Sequence, residues 1–218
     1  MERVRKLTAM VLSYALLVGL LIVSVNKETL IGLWSRPARQ TGLFACTVVL
    51  AILWRIKAGI LPGLDIHILA VTAVTLILGW RLASMASVLA TALLACFNVV
   101  NFTDAATYVI ISALIPIYFS YAVFVLVYHL LPRHLFIYLF ICSFLCAGFA
   151  GCLKIITGAL YFWAMGSFDW STLVDNYVIM CALIWFPEAM LSGMAMTILV
   201  IYKPHWVRTF YDKEYLAQ

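Results

Sequence analysis

The amino-acid sequence predicts an all-α integral membrane protein, a bundle of about seven transmembrane helices in a single domain, residues 1–218. Of the 218 residues, 66% are hydrophobic and only 11% are charged, whereas soluble domains carry roughly 25% charged residues. The apolar residues form runs close to the ~20 residues that a helix needs to cross a bilayer. The longest connector between runs, residues 26–40, is too short for a soluble domain.

The predicted spans, in chain order, are residues 7–25, 41–54, 66–80, 82–100, 106–130, 135–165 and 177–202. The second and third are short, and they reach a usable length if flanking Lys and Arg side chains extend to the interface. The first is too long for a signal-peptide core and lacks a small-residue cleavage site, so we expect it to remain in the mature protein. If 135–165 makes two passes or a re-entrant pair instead of one pass, both termini could lie on the cytoplasmic side.

The Lys and Arg residues in the connectors predict the orientation, because cytoplasmic loops are enriched in them. A cytoplasmic C-terminus places eight of them on that side: Lys27, Arg36, Arg39, Arg81, Arg133, Lys203, Arg208 and Lys213. Five then lie opposite: Arg3, Arg5, Lys6, Arg55 and Lys57. That outer side also holds four acids that either attract cations or are ordinary solvated loop residues: Asp65, Asp104, Asp169 and Asp175.

The charge distribution, the cysteines and the missing motifs argue against a nucleic-acid-binding protein, a disulfide-stabilised protein and an enzyme, respectively. The net charge of +5 is spread over short loops, which favours anionic headgroups of the lipid bilayer over nucleic acid as the partner. The six cysteines all fall inside apolar runs, so we expect buried thiols and no disulfide framework. The sequence has no P-loop, HExxH, GxGxxG or Ser-His-Asp order, so nothing in it predicts an ATPase or a hydrolase, and we expect that the protein is not an enzyme.

A candidate polar site lies where the third span begins. Asp65 and His67 precede thirteen uncharged residues, and charged groups at such positions are rare in membranes. They form either the entrance to a site or an N-cap with an interfacial histidine. Asn98, Asn101 and Asp104 end the fourth span at the same predicted face. We expect at least one of these three to share a pocket with Asp65 and His67.

The residue types of this pocket suit a borderline divalent metal, because they combine an imidazole nitrogen with carboxylate and amide oxygens. His67 is the predicted metal ligand. The alternative is that Asn98 and Asn101, three residues apart on one helix face, form hydrogen bonds between helices.

Glu188 forms a second focus, because it follows Pro187 about midway along the last span. A buried carboxylate must be protonated, paired or facing water. We expect either an ion pair with Lys154, the only basic residue deep in a span, or a functional role. A further alternative is an intramembrane enzyme with Glu188 and His67 as acid and base.

Two pairs of soft ligands also share helix faces. Cys142 and Cys146 are four residues apart, and so are Met190 and Met194. Soft-metal binding is chemically possible, but Cys and Met are common apolar fillers, so we expect packing.

Three segments resemble a group of energy-coupling factor transporter permeases, within the wider superfamily of cobalt/nickel-uptake substrate-capture subunits. They are WRIKAGILPGLDIHILAVTAVTLILGWRLA at 54–83, LPRHLFIYLFICSF at 131–144, and FPEAMLSGMAMTILVIYKPHWVRTFYDKEYL at 186–216. The resemblance covers about residues 40–215, so the helix at 7–25 precedes it.

The resemblance implies a ligand role for His67, because residues 66–70 match a Gly-His-Leu-Leu-Gly type motif whose histidine binds metal. The stretch around Asn98 is similar to the asparagine-bearing segment of that superfamily, and residues 186–189 resemble its Pro-Glu-Ala helix. The metal subunits begin with a Met-His pair that completes the coordination, whereas this chain begins Met1-Glu2-Arg3.

The resemblance therefore implies a substrate-binding permease subunit in a bacterial inner membrane. The resemblance implies a transition-metal cation as the substrate and indicates no definite cofactor. It also implies that a separate coupling subunit and ATPase subunits supply the energy for transport. The alternative is a membrane scaffold or assembly factor without transport activity, which an incomplete ligand set favours.

Overall fold

The computed structural model describes residues 2–59, 61 and 64–215, with only the backbone for residues 2–4, 212 and 213. The elements before the middle of the chain are α1 (Glu2–Ser24), α2 (Lys27–Trp34), α3 (Pro37–Arg55), β1 (Lys57–Gly59), β2 (Asp65–His67), α4 (Val71–Leu78) and α5 (Trp80–Cys96). Those after it are α6 (Phe102–Leu130), α7 (Leu135–Ala164), α8 (Trp170–Asn176), α9 (Cys181–Tyr202) and α10 (Asp212–Tyr215).

The structure confirms the all-α membrane fold. Five helical runs of the described residues are long and apolar enough to cross a membrane: Arg5–Ser24, Pro37–Arg55, Phe102–Leu130, Leu135–Ala164 and Trp170–Tyr202. The last run joins α8 to α9 through a 3₁₀ turn at Val178–Met180. The shorter apolar helix α5 packs among them. Because the run Leu135–Ala164 is continuous, the alternative of two passes there is wrong.

The expected helix over residues 66–80 is wrong. Residues 65–67 form a strand, residues 68–70 have no regular structure, and α4 has only eight residues. A helix of that length rises about 12 Å, less than half of a hydrocarbon core of ~30 Å. Ala70 adopts a left-handed conformation with φ 55° immediately before α4, which marks the point where the backbone changes direction.

This discontinuous segment still passes through the bundle. At its start, β2 pairs with β1, which directly follows the end of α3. At its finish, Leu78 packs against Gly42 near the beginning of α3. The segment therefore runs antiparallel to α3 along its whole length, and seven of the eight residues of α4 are buried.

Small residues bring α7 and α9 together, as expected for membrane helices. A Cβ on Gly148 would lie 2.7 Å from the ring of Trp185, and one on Gly151 would lie 3.1 Å from Cγ of Glu188. On α9, a Cβ on Gly193 would lie 3.1 Å from Phe144. This close packing carries Lys154 and Glu188 to the bundle interior, where they are 5% and 2% exposed.

Candidate metal-binding site

A two-stranded antiparallel hairpin presents Asp65 and His67 at one end of the bundle. Lys57 is opposite His67 and Gly59 is opposite Asp65 in the pairing. Because side chains alternate along a strand, Asp65 and His67 lie on the same strand face. The Asp65 carboxylate lies 2.6 Å from Nζ of Lys57, and both side chains are about one-third exposed. Asp65 therefore forms an ion pair with Lys57 at the surface, where the segment that contains His67 begins.

His67 is buried among aromatic residues, with 4% of its surface exposed. Its Nε2 lies 2.9 Å from the hydroxyl of Tyr108 on α6. The rings of Trp54 and Tyr108 lie 5.7 and 5.6 Å from the imidazole centroid. Its Nδ1 has only a long contact of 3.4 Å to the carbonyl of Ile68. When Nε2–H donates to Tyr108, the lone pair of Nδ1 is available to a cation.

Buried polar groups from three helices hold the second strand of the hairpin and the irregular backbone that follows it. Trp54 Nε1 donates to the carbonyl of Leu69 at 3.0 Å. Lys154 Nζ donates to the carbonyl of Asp65 at 2.7 Å. The Glu188 carboxylate accepts hydrogen bonds from the backbone N–H groups of Leu69 and Ala70. Non-helical backbone at membrane depth needs such partners, because lipid supplies none.

The expected ion pair between Lys154 and Glu188 is wrong, because Lys154 bonds to strand β2 and Glu188 bonds to the irregular backbone after it. Lys154 donates to Asp65 and to the hydroxyl of Tyr177 at 3.2 Å. Glu188 accepts from Leu69 and from Ala70, the latter at 3.2 Å. The two charges attract each other through space, but neither side chain is a hydrogen-bond partner of the other. Both residues therefore position the segment that carries His67.

The three remaining predicted site residues lie on the surface around the start of α6. Asn98 has a positive φ of 55°, Asn101 precedes α6, and Asp104 lies in its first turn. All three are exposed, and none forms a side-chain hydrogen bond with another described residue. Asp104 is one helical turn before Tyr108 and so shares its helix face. This places Asp104 on the side of α6 that leads to His67.

The described residues contain no group of three His, Cys, Asp or Glu side chains that could hold a metal ion. All six cysteines are free thiols, and Cys142 and Cys146 are buried. Met190 and Met194 instead line an open apolar groove of about 570 Å³ between α7 and α9, together with Phe136, Phe140 and Phe144.

Sequence reasoning missed Trp54, Tyr108 and Tyr177 as site residues. Tyr108 carried one signal, its spacing of four from Asp104 in the α6 sequence. Trp54 and Tyr177 carried none beyond their place near span ends, where aromatic residues are common.

A family profile described as the cobalt uptake substrate-specific transmembrane region matches residues 2–206, a range that includes α1 and both His67 and Glu188. No curated protein and no solved structure matches the chain significantly. The family is one of transporter components that work in a complex with other subunits. The chain belongs to this family of cobalt uptake substrate-specific membrane components.

Proposed function

We propose that the chain is the substrate-binding permease subunit of an energy-coupling-factor-type transporter. Its substrate is a divalent transition metal of the cobalt or nickel kind, and it acts in the bacterial inner membrane as one transmembrane domain. The observation that carries this proposal is the buried imidazole of His67, whose Nε2 lies 2.9 Å from the hydroxyl of Tyr108, while Nδ1 has only a 3.4 Å contact to the carbonyl of Ile68. In the tautomer with the proton on Nε2, Nδ1 can bind a cation. The family match supports cobalt uptake in general.

The surface acids form the entrance to this site in the proposed mechanism. Asp65 shares a strand face with His67, and Asp104 lies one turn from the tyrosine that holds His67. Carboxylates at a mouth raise the local concentration of cations. Asn98 and Asn101 add amide oxygens next to Asp104. A cation would pass from these oxygen groups to the neutral imidazole, which is a better ligand for cobalt or nickel.

Energy for release comes from partners in this mechanism, because the sequence has no nucleotide-binding motif. We propose a separate transmembrane coupling subunit with ATPase subunits. Adjacent genes for such proteins would support this assignment.

Metal retention tests the proposal. The chain is purified without chelator, incubated with cobalt or nickel at pH 7.5, desalted, and its metal content is measured by elemental analysis. We expect wild type to retain metal and His67→Ala to lose it. His205→Ala removes an exposed histidine and serves as the matched control. Cys142→Ala and Met190→Leu should also retain metal. Retention should fall as the pH falls, because protons compete for the imidazole.

A scaffold or assembly factor without transport activity is the second candidate. It is favoured by one observation, that no group of three potential ligands occurs among the described side chains. If wild type retains no transition metal at pH 7.5, or if His67→Ala retains as much as wild type, the capture proposal fails and the scaffold function replaces it.

A further inference from the structure

Three arginines lie together at the opposite end of the bundle from the hairpin. Arg36 directly precedes α3, Arg39 lies in the first turn of α3, and Arg208 belongs to the segment after α9. The positive charges of Arg208 and Arg36 both act on Arg39. We call these three residues the arginine cluster.

The end of α4 brings the arginine cluster together. Arg208 Nη1 lies 3.4 Å from the carbonyl of Leu78, and its backbone N–H donates to the carbonyl of Ile77 at 3.0 Å. A Cβ on Gly79 would lie 3.2 Å from Cδ of Arg208. Since Leu78 also packs against Gly42, the first turns of α3 and the Arg208 side chain meet at the same place.

No carboxylate of the described residues lies within ion-pairing distance of the arginine cluster. Other basic residues of the protein do have acidic partners: Lys57 pairs with Asp65, and Arg133 pairs with Glu214 at 3.2 Å. Like charges held close together repel each other, and an anion between them removes that cost. The arginine cluster therefore has the electrostatics of an anion site that the protein itself does not fill.

The neighbouring helix α2 indicates the class of anion. It has no buried residue, and the exposed fractions of Leu30, Ile31 and Trp34 are 47%, 55% and 86% of their surfaces. A short helix with exposed aliphatic and Trp side chains at the end of a membrane bundle is typical of the lipid interface. At Gly32, a Cβ would lie 2.7 Å from the Arg39 guanidinium, so the arginine cluster adjoins this helix.

We propose that Arg36, Arg39 and Arg208 bind the phosphate of an anionic phospholipid, with the exposed apolar residues of α2 beside its acyl chains. Guanidinium groups match phosphate oxygens with two parallel hydrogen bonds, which makes arginine well suited to this contact. Basic pockets at helix ends bind anionic headgroups in the same way. Because Arg208 also holds the end of α4, the bound lipid stabilises the pass that leads to His67.

This inference does not depend on metal capture, so its test is independent of the transport proposal. The full chain in detergent is titrated with phosphatidylglycerol or phosphatidylcholine of identical acyl chains, and bound lipid is counted by native mass spectrometry. We expect wild type to prefer phosphatidylglycerol. Each arginine contributes about 1 kcal/mol near a membrane surface, or about five-fold in affinity. Arg39→Gln and Arg208→Gln should each weaken phosphatidylglycerol binding by about that factor.

Two further variants separate binding from folding. Arg36→Gln with Arg39→Gln leaves the bond between Arg208 and Leu78 intact, and should weaken phosphatidylglycerol binding about 25-fold, two such factors, at an unchanged thermal midpoint in phosphatidylcholine. Arg55→Gln removes the same charge from the other end of α3 and should bind like wild type.

Three outcomes would overturn the proposal. Equal phosphatidylglycerol binding by wild type, the Arg36/Arg39 double variant and Arg55→Gln would exclude a lipid site at the arginine cluster. A rise in the thermal midpoint with inorganic phosphate alone, equal to that with phosphatidylglycerol and lost in the double variant, would assign the site to free phosphate. If the Arg36/Arg39 double variant binds phosphatidylglycerol like wild type but no longer binds a co-expressed coupling subunit, the arginine cluster is a site for a protein partner.

Discussion

At the scale of single residues, Tyr108 decides which nitrogen of His67 can meet a cation. Its hydroxyl lies 2.9 Å from Nε2, and the imidazole is otherwise surrounded by ring and backbone groups. A hydrogen bond on the nitrogen remote from the metal fixes the tautomer and the orientation of a ligating histidine. Tyr108 is therefore a positioning residue for the proposed site.

Tyr108→Phe should lower the affinity for cobalt or nickel by about 10- to 100-fold, the usual effect of removing such an outer partner. The measurement is isothermal titration of the purified chain with the metal. Tyr118→Phe is the matched control. Tyr118 lies on α6 like Tyr108, and its hydroxyl bonds to Ser24 of α1 instead of to His67. Equal affinity in Tyr108→Phe and wild type would contradict the role given to Tyr108.

Glu188 is expected to act on stability through two backbone bonds. Glu188→Leu leaves the N–H groups of Leu69 and Ala70 buried without an acceptor, at about 1–3 kcal/mol each. Glu188→Gln keeps one acceptor oxygen and should lose about half as much. Thermal unfolding in detergent, followed by circular dichroism, measures the difference. An equal midpoint for Glu188→Leu and Glu188→Gln would argue against these bonds.

Lys154→Met tests the same arrangement from the other side. Because Lys154 bonds to Asp65 and Tyr177 while Glu188 bonds to Leu69 and Ala70, the double variant with Glu188→Leu should lose more stability than either single variant. If the double variant is more stable than both single variants, each single change leaves an uncompensated buried charge. That result would support an ion pair between Lys154 and Glu188.

At the scale of elements, α4 depends on a sharp break at Gly79 before α5. Gly79 has φ 77° and ψ 158°, a backbone conformation that is open to glycine and costs other residues about 1–3 kcal/mol. The Arg208 side chain also passes over it, 3.2 Å from where a Cβ would lie. The break turns the chain from the buried half-pass α4 into α5.

Gly79→Ala should therefore lower the free energy of unfolding by about 1–3 kcal/mol. The control is Gly19→Ala in α1, where an added Cβ has no neighbour within 4 Å and alanine improves helix propensity. Both are compared by thermal unfolding in the same detergent. Equal midpoints would show that the backbone at residue 79 is not held in this conformation.

At the scale of the whole molecule, charge distribution sets the orientation. The end that carries the arginine cluster and Lys203 is expected to face the cytoplasm, by the excess of Lys and Arg on that side. A fluorescent protein fused to the C-terminus should then be fluorescent, and alkaline phosphatase fused there should be inactive. An active phosphatase fusion would reverse the orientation and place the hairpin inside.

The sequence alone determined the membrane class and most of the helical runs, and it singled out His67, Lys154 and Glu188 as polar residues in apolar surroundings. Hydropathy acts locally along the chain, and a buried ionisable residue in an apolar run is conspicuous without knowledge of its neighbours. The expectation of a helix over residues 66–80 is wrong for the same reason. The composition of this stretch suits a helix in lipid, and nothing local shows that other helices will satisfy an extended backbone there.

Only the tertiary structure decided which groups meet. His67 and Tyr108 are 41 residues apart in sequence, and Glu188 is 119 residues from Leu69. Such pairings depend on how α3, α6, α7 and α9 pack around one segment, which periodicity within a helix does not encode. An unpaired polar group in a membrane interior is costly. Residues 68–70 can lack regular structure because Trp54 and Glu188, from packed helices, supply hydrogen-bond partners to the backbone of Leu69 and Ala70. The arginine cluster likewise exists only because α4 ends between α3 and Arg208.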